Sequence, residues 1–248
     1  MEWQAPAVVL DIRPHGETGV VVTLLTEEYG RHAGFARAGA SRAQAALWQP
    51  GNLVEAKWVG RLPDQLGAVS GEMVHAAAAL AMDDPLALAT LRAATGVAEG
   101  ALPEREPHPR LFHGLVAVIA RLAGGPDVAL PELVRWEAEL LADLGYGLDL
   151  ARCAVTGGSE DLRYVSPRSG RAVSEDAAGA WRDRLLPLPA FLLGQGPSEP
   201  ADWLAGLRLT GHFLARDVFG TQHRPLPAAR EMLVLSLIHI SEPTRLRR

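Results

Sequence analysis

Ala7-Val8-Val9-Leu10-Asp11-Ile12, Gly19-Val20-Val21-Val22-Thr23-Leu24-Leu25-Thr26 and Arg31-His32-Ala33-Gly34-Phe35-Ala36-Arg37 are three short β-type runs. Arg13-Pro14-His15-Gly16-Glu17 and Glu27-Glu28-Tyr29-Gly30 separate them. Apolar, β-branched runs bounded by Gly and Pro clusters read as strands joined by tight turns. In the third run, alternation is read as putting Ala33 and Phe35 on a core face and His32, Gly34 and the arginines on a solvent face. Two further runs follow, Asn52–Gly60 and the weaker Leu66–Val74. Five short strands with no long helix among them, complete by about residue 75, match an OB-type barrel in strand number and length. Strand count does not separate this from another five-stranded barrel, such as an SH3-like one. A small curved sheet with arginines on its exposed face suits a polyanion.

The whole chain is not basic. Its 248 residues carry a net charge of −5, with 48% hydrophobic and 21% charged residues. That is enough chain to bury a core, in one large domain or two small ones, and too acidic for a globally basic nucleic-acid binder. Phosphate contacts would have to come from a local patch. Between residues 31 and 61 the cations Arg31, Arg37, Arg42, Lys57 and Arg61 face Glu55 alone. Trp48, beside the turn Gln49-Pro50-Gly51, is the aromatic expected to be exposed for stacking on a base; Phe35 and Trp58 are expected to fill the barrel. The single cysteine, Cys153, allows no intramolecular disulfide and fits a reducing cytoplasm. No stretch reads as a signal peptide, and none approaches the roughly 20 apolar residues of a membrane span, so no membrane association is expected.

After Asp83-Asp84-Pro85 the character changes to helical. Leu86–Ala94 follows an acidic N-cap and a first-turn proline. Leu111–Leu122 and Pro131–Leu144 carry apolar residues at helical spacing and end at glycines. Between Leu150 and Ala180 the pattern breaks into turns and short strands, and it becomes helical again over Pro189–Leu193 and Asp202–Phe219. The stretch from Leu235 to Arg245 shows no helical period and does not continue the helix begun near Pro227. It reads as translated adapter or vector sequence, with a genuine poorly ordered tail as the alternative. The expected organisation is a barrel over residues 1–80, a helical domain over 81–232 with an insert at 151–180, and a non-native or disordered tail over 233–248.

Taken in order, Ala7-Val8-Val9-Leu10 leading to Gly16-Glu17, Val22–Glu27 with Gly30, Leu140–Leu150, Cys153-Ala154-Val155-Thr156-Gly157 and Tyr164–Gly170 resemble the RecO family of DNA repair proteins, the bacterial recombination mediators. The resemblance runs from the N-terminus to about Glu231. It implies an α+β protein: an N-terminal OB-fold β-barrel, then a helical C-terminal domain with an inserted ribbon-like hairpin that holds zinc in some members. Here the hairpin reads as zinc-less. Cys153 is followed by Thr156 where a second thiol would stand, and the other pair falls at Ser174 and Ala177. A structural zinc site wants four soft ligands and this segment offers one. Packing of Leu162, Tyr164 and Val173 is expected to hold the hairpin instead, with Cys153 a small buried residue.

The common catalytic motifs are missing from the sequence. The chain has no G-x-x-x-x-G-K-[ST] loop, no G-x-S-x-G elbow and no H-E-x-x-H, and its histidines are dispersed. Neither an enzyme nor a cofactor is expected. The resemblance implies binding of single- and double-stranded DNA by the barrel, docking of the acidic, apolar C-terminal tail of the single-strand-binding protein on the helical domain, assembly with the mediator RecR, and indirect loading of the recombinase, in the bacterial cytoplasm at the nucleoid. A tail carboxylate and aromatic want an apolar pocket rimmed by arginine, for which Arg110, Arg121 and Arg135 are the candidates. The rivals are a protein-interaction module whose barrel has lost DNA binding, and a hydrolase or transferase with a site assembled from distant residues.

Overall fold

The computed structural model of the chain describes residues 1–61, 65–196 and 198–241, the side chains of residues 42, 43, 240 and 241 excepted. It divides into two compact units, Met1–Ala123 and the residues from Gly124 onward.

In the first unit, β1 (Glu2–His15), β2 (Gly19–Thr26), β3 (Gly30–Ala36), β4 (Leu53–Val59) and β5 (Gly67–His75) close a barrel in the order β1-β2-β3-β5-β4; α1 (Arg42–Ala45) lies between β3 and β4. Only β3 and β5 pair in parallel. This is the OB-fold arrangement, resolved against the SH3-like alternative. β1 makes closure possible. It starts at Glu2, five residues before the run that announces it, because Trp3 already points inward and is 5% exposed. Its first half pairs with β4 and its second half with β2, across an irregularity between Val9 and Asp11. Val9, Val22, Leu24, Val54, Ala56 and Trp58 form the centre of the core, all unexposed.

β3 reverses the expected facing of its non-arginine residues. Gly30, His32, Gly34 and Ala36 point inward, while Arg31, Ala33 and Phe35 point outward. The interior beside β3 is already occupied: a Cβ on Gly34 would lie 2.8 Å from Val69 and 3.1 Å from the Trp58 ring. Small residues are required there. Phe35 lies outside, over Gly19, with its ring centroid 5.6 Å from that of His15. His32 meets the edges of Trp3 and Trp58, and its Nδ1–H donates to the Tyr29 carbonyl at 2.8 Å. Burial holds its imidazole below the ordinary value against that hydrogen bond.

The unit continues through α2 (Ala77–Leu80), α3 (Pro85–Ala101) and α4 (Pro109–Arg121). Asp84 caps α3, accepting from the Leu86 and Ala87 amides at 2.8 and 3.1 Å.

The second unit contains α5 (Pro126–Asp143), a three-stranded sheet of β6 (Leu162–Val165), β7 (Ala172–Ser174) and β8 (Leu186–Pro187) with α6 (Glu175–Ala178) between β7 and β8, then α7 (Pro200–Phe213) and α8 (Ala228–Ser241). Glu137 of α5 and Arg230 of α8, both fully buried, form a two-toothed ion pair among the helices, with N–O distances of 2.5 and 2.9 Å. The expectation that the stretch from Leu235 does not continue the helix begun near Pro227 is corrected here. α8 runs to Ser241, and Arg230, Leu233 and Leu237, all unexposed, fall on one helical face. Residues 242–248 lie outside those described.

In the insert Leu162, Val165, Ala172 and Val173 are buried, and Tyr164, half-buried, stands directly opposite Val173 on the neighbouring strand, with the Arg182 guanidinium 6.0 Å from its ring centroid.

Candidate nucleic-acid interface

The cations of the barrel divide into those held by neighbours and those with no ion pair to a described residue. Arg31, on the outward face of β3, donates from Nε to the Leu102 carbonyl at 2.8 Å, and its Nη1 stands 3.9 Å from Glu99 and 3.7 Å from Glu104. Its side chain is 17% exposed, so it works as a strut between β3 and the end of α3. Lys57 faces out from β4 and pairs with Glu2 at 2.6 Å; Lys57 lowers the Glu2 carboxyl below its ordinary value through that hydrogen bond. Half-exposed pairs of this kind are weak and open readily. Arg37 and Arg61 are exposed and make no ion pair with another described residue. The side chain of Arg42 lies outside those described.

Register shows where these groups stand. Phe35 and Val59 both have Ala68 as Cα partner, so the outer face runs across β3, β5 and β4 at that level. Lys57 is opposite Ser70, one outward position farther along. Arg37, two residues after Phe35, is exposed in the turn that follows the end of β3 at Ala36. Farther along the sheet Glu55 and Glu72 are direct partners, and that end repels phosphate. The arrangement can therefore hold a phosphate chain at the end bearing Arg37 and Lys57, with the half-exposed Phe35 ring available to a base.

Trp48 is corrected as a stacking residue. It is 1% exposed, packed with Leu47 against the barrel core. Asn52 fixes the segment by donating to the Ala46 and Leu47 carbonyls at 2.8 and 3.2 Å and accepting from the Ala78 amide at 3.0 Å. The Gln49-Pro50-Gly51 turn suggested exposure, but it folds back over the barrel end. Phe35, expected inside, is the aromatic that the fold leaves beside Arg37.

Of the arginines considered for partner binding, Arg110 and Arg121 are exposed at the two ends of α4, about 16 Å apart along the axis, so one small pocket cannot use both. Arg121 falls between Ala120 and Leu122, which line an apolar groove of about 590 Å³ with Leu53, Leu80, Val116 and Ile119. Sequence reasoning missed this groove, although Leu80 at 68% exposure on a short alanine-rich helix was a visible sign of it. Arg135, in the second unit, pairs with Glu132 at 3.4 Å and lies 5.5 Å over Phe191.

The residues at the ribbon-like insert do not fit a zinc ion. The Cys153 sulfur, 1% exposed, accepts from the Ser174 amide and hydroxyl at 3.4 and 3.5 Å. The positions that would face a metal thus meet as one thiol and a hydroxyl, and hydroxyls are poor zinc ligands.

Comparison with known proteins gives the family. Residues 1–77 match the family described as recombination protein O N terminal, and residues 82–226 match recombination protein O C terminal. The chain is 60% identical over 239 residues to the DNA repair protein RecO of Gluconacetobacter diazotrophicus, covering 94% of each. It is 56% identical to that of Granulibacter bethesdensis over 247 residues, 99% of each, and 51% identical to that of Phenylobacterium zucineum, over 99% of this chain and 100% of the relative. The chain belongs to the recombination protein O family, and its role lies in DNA repair and recombination.

Proposed function

We propose that this protein is a non-enzymatic recombination mediator whose barrel grips single- and double-stranded DNA chiefly through phosphate contacts. The observation that carries the reading is the outward-facing Phe35 of β3 followed by the exposed Arg37 in the turn beyond it, with Arg37 and Arg61 free of ion pairs to described residues. Exposed guanidinium groups exchange condensed counterions for phosphate, and a half-exposed ring accepts an unpaired base. Such a grip is weak and salt-sensitive. Added to a contact with the single-strand-binding protein, it loosens a tighter competitor by exchange, without fuel, and lets strands anneal or the recombinase enter. The apolar groove beside Arg121 is the site that best suits the acidic, apolar tail of that protein. RecR is the second expected partner, without an assigned surface.

The test is a fluorescence-anisotropy titration of a labelled single-stranded oligonucleotide across a salt series. Each phosphate of a single strand that is no longer neutralised lowers the slope of log affinity against log salt by about 0.7, so Arg37→Ala with Arg61→Ala should lower it by about 1.4. Absent or salt-independent binding would overturn the proposal. It would favour the rival, a protein-interaction barrel, which draws on the engagement of Arg31 and Lys57 by carboxylates and on the Glu55–Glu72 pairing.

A further inference from the structure

The chain has six tryptophans. Trp3, Trp48, Trp58, Trp136 and Trp203 are each at most 6% exposed, as suits core residues. Trp181 is 62% exposed. It lies in the 3-10 turn Gly179–Arg184, which leads from α6 into β8 in the second unit.

The Arg184 guanidinium stands 5.2 Å from the Trp181 ring centroid. Other arginines also lie over rings in this unit, but those rings are packed. Arg216 lies 4.8 Å over Phe213, which is 1% exposed, and Asp217 and the Pro167 carbonyl hold its guanidinium. Arg135 and Arg224 lie over Phe191 and Phe219, 3% and 0% exposed. Arg182 lies over the half-buried Tyr164 and is paired with Glu175. Trp181 is therefore the ring in this set that remains mostly open, and Arg184 makes no ion pair with another described residue.

We propose that Trp181 is a stacking platform for an unpaired base of single-stranded nucleic acid, with Arg184 backing the indole and meeting the adjacent phosphate. Aromatic rings that carry a neighbouring cation bind single strands through the π-face of each base, independent of sequence. The surroundings select this ligand. Asp176, Asp183 and the Glu175 already joined to Arg182 leave little net positive charge, so general attraction to a duplex is not the driving force. The ring stands among the exposed charged groups Arg182, Asp183 and Arg184, whereas the centre of a protein interface is depleted of charge. The inference rests on the nucleic-acid reading above but not on the arginines of the barrel.

The experiment uses the full chain and an unlabelled thymidine oligonucleotide, with tryptophan emission and iodide quenching read at constant ionic strength. Anisotropy of a labelled copy gives the affinity in the same buffer. Because the other five indoles are buried, the iodide-accessible emission is that of Trp181. The single strand is expected to shield that emission, and a duplex of equal length is not. Trp181→Ala is expected to weaken single-strand binding by about fivefold to a hundredfold, the span that loss of one stacked base produces. Trp181→Phe retains most of the affinity, and neither variant changes the salt slope. Binding by anisotropy with Trp181 still open to iodide, or an unchanged affinity in Trp181→Ala, overturns the stacking site and leaves the barrel reading standing. Absence of any binding by the unaltered chain at low salt removes both. Shielding of Trp181 by purified single-strand-binding protein without DNA reassigns the ring to a protein partner and overturns the proposal.

Discussion

Replacing Glu137 by Gln tests the buried pair that joins α5, α7 and α8. Glu137 Oε1 accepts from Arg230 Nε at 2.5 Å, and Oε2 accepts from Arg230 Nη2 at 2.9 Å and from the Thr210 hydroxyl at 2.5 Å. Arg230 Nη2 also donates to the Leu207 carbonyl at 2.7 Å. Both charged side chains are 0% exposed, and Arg230 Nη1 has no partner, so water does not stand ready to replace a missing acceptor. Removing one partner of such a pair leaves a buried charge uncompensated, at a cost of about 3–5 kcal/mol. Against a typical total of about 5–15 kcal/mol, that is a fifth or more of the stability of an ordinary domain. Urea denaturation followed by circular dichroism should show a large fall in midpoint for Glu137→Gln. The double variant Glu137→Leu with Arg230→Met should recover most of it, since apolar replacements of a whole pair are often neutral. A cost below about 1 kcal/mol for Glu137→Gln, the range of solvated surface pairs, would refute the argument that this guanidinium depends on the carboxylate.

Acidification gives a second test. His32 is 7% exposed between Trp3 and Trp58, and its folded-state value is lowered, so the unfolded chain binds the proton more tightly. Stability should be level above the ordinary histidine value of 6.5 and fall as pH drops below it, by at most about 1.4 kcal/mol per unit from this residue. His32→Gln should flatten that part of a urea-midpoint profile, and an unchanged slope would remove His32 as its source. A third concerns the insert. Because Ser174 already touches the Cys153 sulfur, Thr156→Cys, Ser174→Cys and Ala177→Cys together should create a four-thiolate site, seen as the visible absorption of tetrahedral cobalt(II). The unaltered chain should give no such spectrum, and a featureless spectrum from the triple variant would show that the ligand positions do not converge.

The barrel was legible because strand lengths, turn residues and β-branched content all point the same way over the first seventy-five residues. Facing was harder to read in β3. Arg31, Ala33, Phe35 and Arg37 share one parity, so the arginines cannot be separated from Phe35, yet an aromatic ring invites an inward reading. The need for Gly34 inside is set by Val69 and Trp58, which are thirty-five and twenty-four residues away in sequence and near only in the folded sheet. Trp48 misled for the opposite reason: the turn that follows it signals a surface loop, while the hydrogen bonds of Asn52 that press it onto the core are tertiary. Glu137 was visible in principle, since it falls among Leu133, Trp136, Leu140 and Leu141 on the buried face of its helix. Its partner, ninety-three residues later, was not. The same applies to α8, whose helical face is defined by Arg230, Leu233 and Leu237 once α5 and α7 supply a surface to cover.

The two-sided pairing of β1 has a consequence for synthesis on the ribosome. Its first half has no sheet partner until β4, at residues 53–59, has left the exit tunnel. A nascent chain carrying only β1, β2 and β3 is an open meander with two unpaired edges, one of them lined by the apolar residues of β1. Such edges invite pairing with other chains. Closure waits on two late, long-range steps, the pairing of the first strand with the fourth and the insertion of β5 between β3 and β4, and loop closure of such spans is slow compared with hairpin formation. Premature termination anywhere between β3 and β4 therefore yields a sticky fragment rather than a smaller barrel.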